Sequence, residues 1–272
     1  MGPNLLDGRL GDILSTILTE GSGDVYVVHP TRETIEELVN VAGDHDGDVP
    51  TIHLLADDRN LREVMDDFLV ASNAADLVHE GTLELRSSED SAGQSLVVTE
   101  ESVVALVSAG TRTGGLRTDD DAFVEKARDA YAAEWEAAET YRLRTPPISR
   151  VRDTLSSDMG PEAEEDFSEV LASLETARGD GDGLDEVTIS LLVAAKNEEL
   201  FYDISRWGED VGVASKATFS RMKNRLEDSG LIGTEKVPVD VGRPRQRLTI
   251  QDDRLREADS TQLASVAETI LN

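Results

Sequence analysis

Between residues 186 and 250 the hydrophobic period changes from helical to extended, with a stop signal at each change, and few arrangements satisfy that pattern. From about Glu186 to Tyr202, Ile189, Leu192, Val193 and Leu200 recur at helical spacing. A shorter second helix carries Ile204, Trp207 and Val211 and turns at Gly212-Val213. Ser215 is a suitable N-cap for a third helix, and Gly230 offers the left-handed residue that closes one. Leu231-Ile232 then opens a strand, and Arg247-Leu248-Thr249-Ile250 supplies its partner. Three helices followed by a two-stranded ribbon make a small α+β domain.

The third helix has two chemically distinct faces. At about 100° per residue, Phe219, Met222 and Leu226 fall together and dock the helix on its domain. The opposite face carries Ala217, Ser220, Arg221 and Asn224, flanked by Lys216, Thr218, Lys223 and Arg225. Arg can bond guanine O6 and N7 in bidentate fashion, and Asn does the same with adenine N6 and N7. Lys216, Lys223 and Arg225 are placed for phosphates. A charged helix face is more often simply solvated, but the local charge balance argues otherwise. From Ala214 to Arg247 there are eight basic and four acidic residues, a net of +4 in a chain of net charge −30. A cationic island in an acidic protein is the footprint of nucleic-acid binding. Between the two strands, Gly242-Arg243-Pro244-Arg245-Gln246-Arg247 forms an arginine-rich arm of the kind that lies in a narrow minor groove, or else a plain turn with solvated arginines.

Helix, glycine turn, helix and β-ribbon is the layout of a winged helix-turn-helix. The stretch from Ile204 to Ile232 resembles winged-helix transcriptional regulators in its turn glycine, in Ser215-Lys216-Ala217-Thr218 at the start of the recognition helix, and in the closing Leu226-Glu-Asp-Ser-Gly-Leu-Ile232. With its acidic α/β N-terminal half, the whole chain resembles the haloarchaeal TbsP-type regulators, which act alongside TrmB-type regulators of sugar metabolism. The resemblance implies sequence-specific binding to double-stranded DNA, control of sugar or central-carbon genes, and a metabolite effector. A homodimer would match two half-sites about one DNA turn apart. Its seam is expected from the long helix at 119–141 or from the C-terminal helix bearing Leu263, Val266, Ala267 and Ile270.

Upstream, strand and helix patterns alternate. A helix with Leu6, Leu10, Ile13, Leu14, Ile17 and Leu18 ends at Gly21 and Gly23, and a buried strand follows at 24–29. A helix capped by Thr31 is expected over 32–42, a strand over 51–56, and a helix from Asp57 or Asp58 through Val70. Strands near 82–87, 94–99 and 102–109 lead to a glycine-rich turn at 110–115. The expected class is an α/β domain, a mostly parallel sheet with flanking helices. In the helix at 119–141, Phe123, Ala127, Tyr131, Trp135 and Ala138 form an apolar stripe, and Pro146-Pro147 stops the helix and marks the domain boundary. The division is then 1–145 for a sensor or dimerisation domain, 146–183 for a helical linker with a flexible spacer at 179–183, and 184–272 for the winged helix.

Composition narrows the function further. There is no cysteine, so disulfides, zinc–thiolate sites and thiol catalysis are excluded. Asp and Glu number 56 against 26 Lys and Arg, of which only five are lysine, a balance suited to a very salty cytoplasm and a halophilic archaeon. No apolar run is long enough to span a membrane, and no basic region precedes an apolar stretch as in a secretory signal. No nucleophile triad, HExxH, Walker A or GxGxxG pattern occurs, so no enzyme, cofactor or metal is expected. Two readings from other classes stay open: a protein-interaction module on a winged helix that does not bind DNA, and an α/β enzyme fused to one. If an effector binds at strand ends, the candidates are His29, Thr31 and Arg32 after one strand and Thr111, Arg112 and Thr113 after another. Their hydroxyls, guanidinium groups and free N–H groups suit an anion such as a sugar phosphate.

Overall fold

The computed structural model describes residues 5–45, 49–88, 93–110, 112–174, 177, 184–238 and 244–271. Two compact units divide the chain: residues 1–66 with 73–143, and residues 67–72 with 144–272.

In the first unit, β1 (Leu5–Gly8), α1 (Leu10–Glu20), β2 (Val25–Val28), α2 (Arg32–Gly43), β3 (Ile52–Asp57), α3 (Asp58–Val64), α4 (Phe68–Glu80), β4 (Leu83–Ser88), β5 (Leu96–Val98), β6 (Val103–Ala109), β7 (Arg112–Thr118), α5 (Asp121–Ala137) and β8 (Glu139–Thr140) follow in order. The first turn of α4 belongs to the second unit. The strands form one sheet in the order β1-β7-β6-β5-β2-β3-β4-β8. Parallel pairing, expected for most of the sheet, is found at β2–β3 and β3–β4. The described strands on either side extend this parallel centre by antiparallel pairing. The cause is connection length. Helices cross over between β2, β3 and β4, whereas only short turns join β5 to β6 and β6 to β7, too short for a parallel crossover. In the first of these turns the Thr99 hydroxyl accepts the Ser102 amide at 3.0 Å.

The helix expected over 119–141 is α5, capped by Asp120, whose carboxylate accepts the Phe123 amide at 3.0 Å. Most of its apolar stripe is core. Trp135 packs with Val28 and Leu55, and Val124 with Val98 and Val103, while Tyr131 and Ala127 pack against the same groups. Phe123 is the exception and remains exposed.

The second unit contains α6 (Ile148–Met159), α7 (Pro161–Ala172), α8 (Glu186–Lys196), α9 (Phe201–Val211), α10 (Lys216–Asp228), β9 (Ile232–Val237), β10 (Arg245–Ile250), α11 (Asp253–Glu257) and α12 (Ser260–Leu271). The 146–183 segment was expected as a linker, but its two helices are part of this unit. Val151, Leu155, Phe167 and Val170 are buried in the same core as Trp207, Phe219, Leu226 and Leu248. Four hydrogen bonds fix this packing. Trp207 Nε1 donates to Thr154 Oγ1 at 3.0 Å, and the Asp166 carboxylate accepts from Lys196, Ser260 and Asn197. The spacer expected at 179–183 lies outside the described residues. The C-terminal helix expected as a dimer seam also faces this core, with Leu263, Ala264 and Ala267 buried.

Candidate nucleic-acid interface

Local chemistry sets the geometry of α9 and α10. Gly212 closes α9 in the left-handed conformation (φ 97°), and Ser215 caps α10 by accepting the Thr218 amide at 3.2 Å. Gly208 lets the two helices meet, because the Phe219 ring occupies the space a side chain at 208 would need. A glycine inside a helical pattern carries no sequence signal of what lies opposite it, so the role of Gly208 appears only in the fold.

With Phe219 and Leu226 buried, α10 presents Ala217, Ser220, Arg221, Asn224, Arg225, Asp228 and Ser229 around an open hollow of about 680 Å³. Arg221 and Asn224 are exposed one turn apart, and among the described residues neither side chain is held by an ion pair or hydrogen bond. Asp228, at the far end of the hollow, is a carboxylate that this face was not expected to show.

The structure corrects one residue of the set. Lys223 is 6% exposed, its ammonium 2.8 Å from Glu227 and over the Phe201 ring at 5.4 Å. It follows Phe219 by four residues and precedes Leu226 by three, so it belongs to the docked face, where its stem packs and its charge is neutralised. That spacing was legible in the sequence; the charge of the residue type masked it.

Three other cations of the surface are engaged. Lys216 donates to Glu209 at 2.6 Å, and this bond holds the Glu209 carboxyl below and the Lys216 ammonium above their usual ranges. Arg245 stacks over Tyr202 at 4.7 Å with Asp203 at 3.4 Å, and Arg247 reaches Glu198 at 3.8 Å. Strand β10 is tied to the start of α9 by the Leu248 amide on the Glu199 carbonyl at 2.8 Å. Burial, aided by Asp203, pushes the Glu199 carboxyl up. Arg243 lies outside the described residues.

The residues expected to hold an effector do not assemble. Thr31 caps α2 through the Thr34 amide, and Arg32 pairs with Glu63. His29 has a positive φ of 50°, with Nε2 3.4 Å from Glu134. Arg112 and Thr113 lie within β7, paired with Ala109 and Ser108, not in a loop after a parallel strand. Thr111 lies outside the described residues. Strands β5 and β6 separate β7 from β2, placing the two groups about 14 Å apart across the sheet. His53 is also apart from His29. It stacks on Tyr26 at 4.9 Å between Asp24 and Glu84. A hollow of about 580 Å³ does exist elsewhere in this unit, lined by Asp58, Arg62, Ser87, Ser88, Glu134 and Glu139.

Family models match the two halves of the chain separately: the N-terminal region of TbsP-like transcriptional regulators over residues 2–146, and their C-terminal helix-turn-helix domain over residues 147–268. The chain belongs to the TbsP-like transcriptional regulators. In this TbsP-like protein the family boundary at 146/147 puts α6 and α7 with the helix-turn-helix, in agreement with the shared core. No curated protein matches. Among solved structures there is a distant likeness to TrmBL2, described as an archaeal chromatin protein with a novel mode of DNA binding, at 16% identity and a TM-score of 0.37. It covers 50% of this chain, which spans about half of TrmBL2 (54%). A second likeness, to NucT from Helicobacter pylori, has 12% identity, a TM-score of 0.31, and covers 50% of this chain and 97% of that one.

Proposed function

We propose that the chain binds double-stranded DNA sequence-specifically as a homodimeric regulator of sugar or central-carbon genes in a halophilic archaeal cytoplasm. Helix α10 lies in the major groove, Arg221 and Asn224 read base edges, and Lys216, Arg225, Arg245 and Arg247 meet phosphates. One observation supports this above the others: among the described residues Arg221 and Asn224 are unengaged, and they share the exposed face of a helix whose opposite face is buried. No catalysis is part of this reading. The test is enrichment of genomic DNA fragments in molar KCl by the wild type and by Arg221→Ala/Asn224→Ala. Selective enrichment lost in the variant is expected. A folded wild type that selects nothing, with and without candidate metabolites, makes a protein-interaction module the better reading.

The first unit serves as the effector or dimerisation domain in this proposal. A metabolite would occupy the hollow beside Ser87 and Ser88, where three carboxylates face one arginine. That balance favours a neutral polyhydroxylated compound over the sugar phosphate expected from the sequence. Thermal-shift comparison of free and phosphorylated sugars distinguishes the two.

A further inference from the structure

The chain carries an Asp or Glu about once in five residues, yet two stretches contain none: 211–226, which includes most of the exposed face of α10, and 102–118, which contains β6 and β7. A strand pair buried on both faces would explain the second stretch, but this pair is covered on one. Leu106, Thr113 and Gly115 point to the buried face. Ala105, Val107, Gly114 and Leu116 alternate with them onto the other, where β6–β7 register sets Ala105 against Leu116 and Val107 against Gly114. Val107 is 44% and Leu116 54% exposed, and Phe123, in the first turn of α5, is 53% exposed. Helix α5 covers this side of the sheet over β3, β2, β5 and the start of β6, and leaves the rest of β6 and β7 open.

We infer that the β6–β7 face is the seam of a two-fold homodimer. This rests on the proposed dimeric regulator and names the surface that joins it. Both seams expected from sequence are occupied, since the apolar stripes of α5 and α12 pack within their own units. Two copies of net charge −30 repel, and the β6–β7 hairpin brings no carboxylate of its own to this face, where the nearest strand carboxylate by register is Asp7 of β1, beside Gly114. Its charge pattern is also self-complementary. Arg112 stands at the hairpin end, and Asp119 and Asp121 follow the opposite end of β7, about 20 Å away at strand rise. An antiparallel two-fold stacking brings Arg112 of each copy to the partner's aspartates, which fixes the orientation as well as the contact. The hairpin is about 23 Å long, and two strands are about 10 Å wide, giving roughly 230 Å² per copy before α5 is added. This is less than the roughly 800 Å² of a standard interface, so the association belongs in the micromolar range.

Sedimentation of the full chain without DNA, from about 1 to 200 μM in 0.15 M and 2 M KCl, tests the seam. The wild type is expected to dimerise. Val107→Glu/Leu116→Glu, which buries two unpaired carboxylates per copy, is expected to weaken it by about a hundredfold or more with an unchanged circular dichroism spectrum. Arg112→Glu is expected to weaken it severalfold at 0.15 M KCl, with recovery when Asp119→Arg and Asp121→Arg are added. A wild type that stays monomeric throughout overturns the inference. So does a dimer that survives Val107→Glu/Leu116→Glu in folded protein. Because no DNA is present, either result leaves the reading of α10 to the enrichment experiment.

Discussion

At the scale of single residues, the exposed Arg221 and Asn224 carry the proposed recognition, whereas the buried Lys223 belongs to packing. Replacing both Arg221 and Asn224 by Ala is expected to cost about 2–6 kcal/mol of sequence discrimination, at one to three per bidentate contact, with unfolding unchanged. Lys223→Ala is expected to do the reverse. It exposes the Phe201 ring and strands Glu227, lowering stability by about 1–2 kcal/mol in denaturant unfolding while base preference is kept. Asp166 provides a pH signature. Burial raises its carboxyl, but hydrogen bonds from Lys196, Ser260 and Asn197 outweigh that and hold it below the usual range. A group depressed in the folded state contributes its stability above its unfolded pKa and loses it as pH falls through the folded value. The wild type is therefore expected to lose stability in acid below about pH 4, and Asp166→Asn to be less stable near neutrality with a flatter acid limb, as read by urea midpoints across pH. The Arg221 and Asn224 face was readable from sequence because helical spacing alone defines it. Lys223 was misassigned because its charge outweighed the spacing that put it between Phe219 and Leu226.

At the scale of elements, the contact between α9 and α10 and the anchoring of β10 decide how the DNA face is presented. Phe219 is fully buried against Gly208 and has nowhere to move, so Gly208→Ala is expected to cost about 1–3 kcal/mol and to reduce DNA affinity by tilting α10. In the proposed DNA complex, Arg245 and Arg247 would have to leave Asp203 and Glu198 to meet phosphate. Asp203→Asn/Glu198→Gln removes those competitors of Arg245 and Arg247 and is expected to tighten DNA binding by about three- to tenfold in fluorescence anisotropy. Unchanged affinity would mean that Arg245 and Arg247 do not touch phosphate. Sequence spacing located these helices and strands well, because caps, glycine stops and period changes are local. The ion pairs were hidden, since Asp203 and Arg245 are 42 residues apart in the chain and meet only after folding.

For the whole molecule, the +4 segment works against a remainder of −34. Added salt weakens phosphate contacts but also screens repulsion between that remainder and DNA. The four proposed phosphate contacts would by themselves give a slope of log K against log[salt] of about −3.6. A shallower slope is expected between 0.1 and 2 M KCl, and a slope at the full value would show that the acidic bulk has no influence on binding.

The sequence alone determined the class of each half, the boundary elements of the helix-turn-helix and the face of α10 turned outward, because periodicity, capping and stop residues act over a few positions. Tertiary structure decided what depended on residues distant in sequence. It turned α6 and α7 from a linker into part of the core, set β5–β7 antiparallel beside the parallel centre, and engaged Thr31 and Arg32 in a cap and an ion pair. It also left β6–β7 with one apolar face uncovered. Burial and pairing are properties of the packed chain, and only packing shows which polar groups are already satisfied and which apolar ones are not.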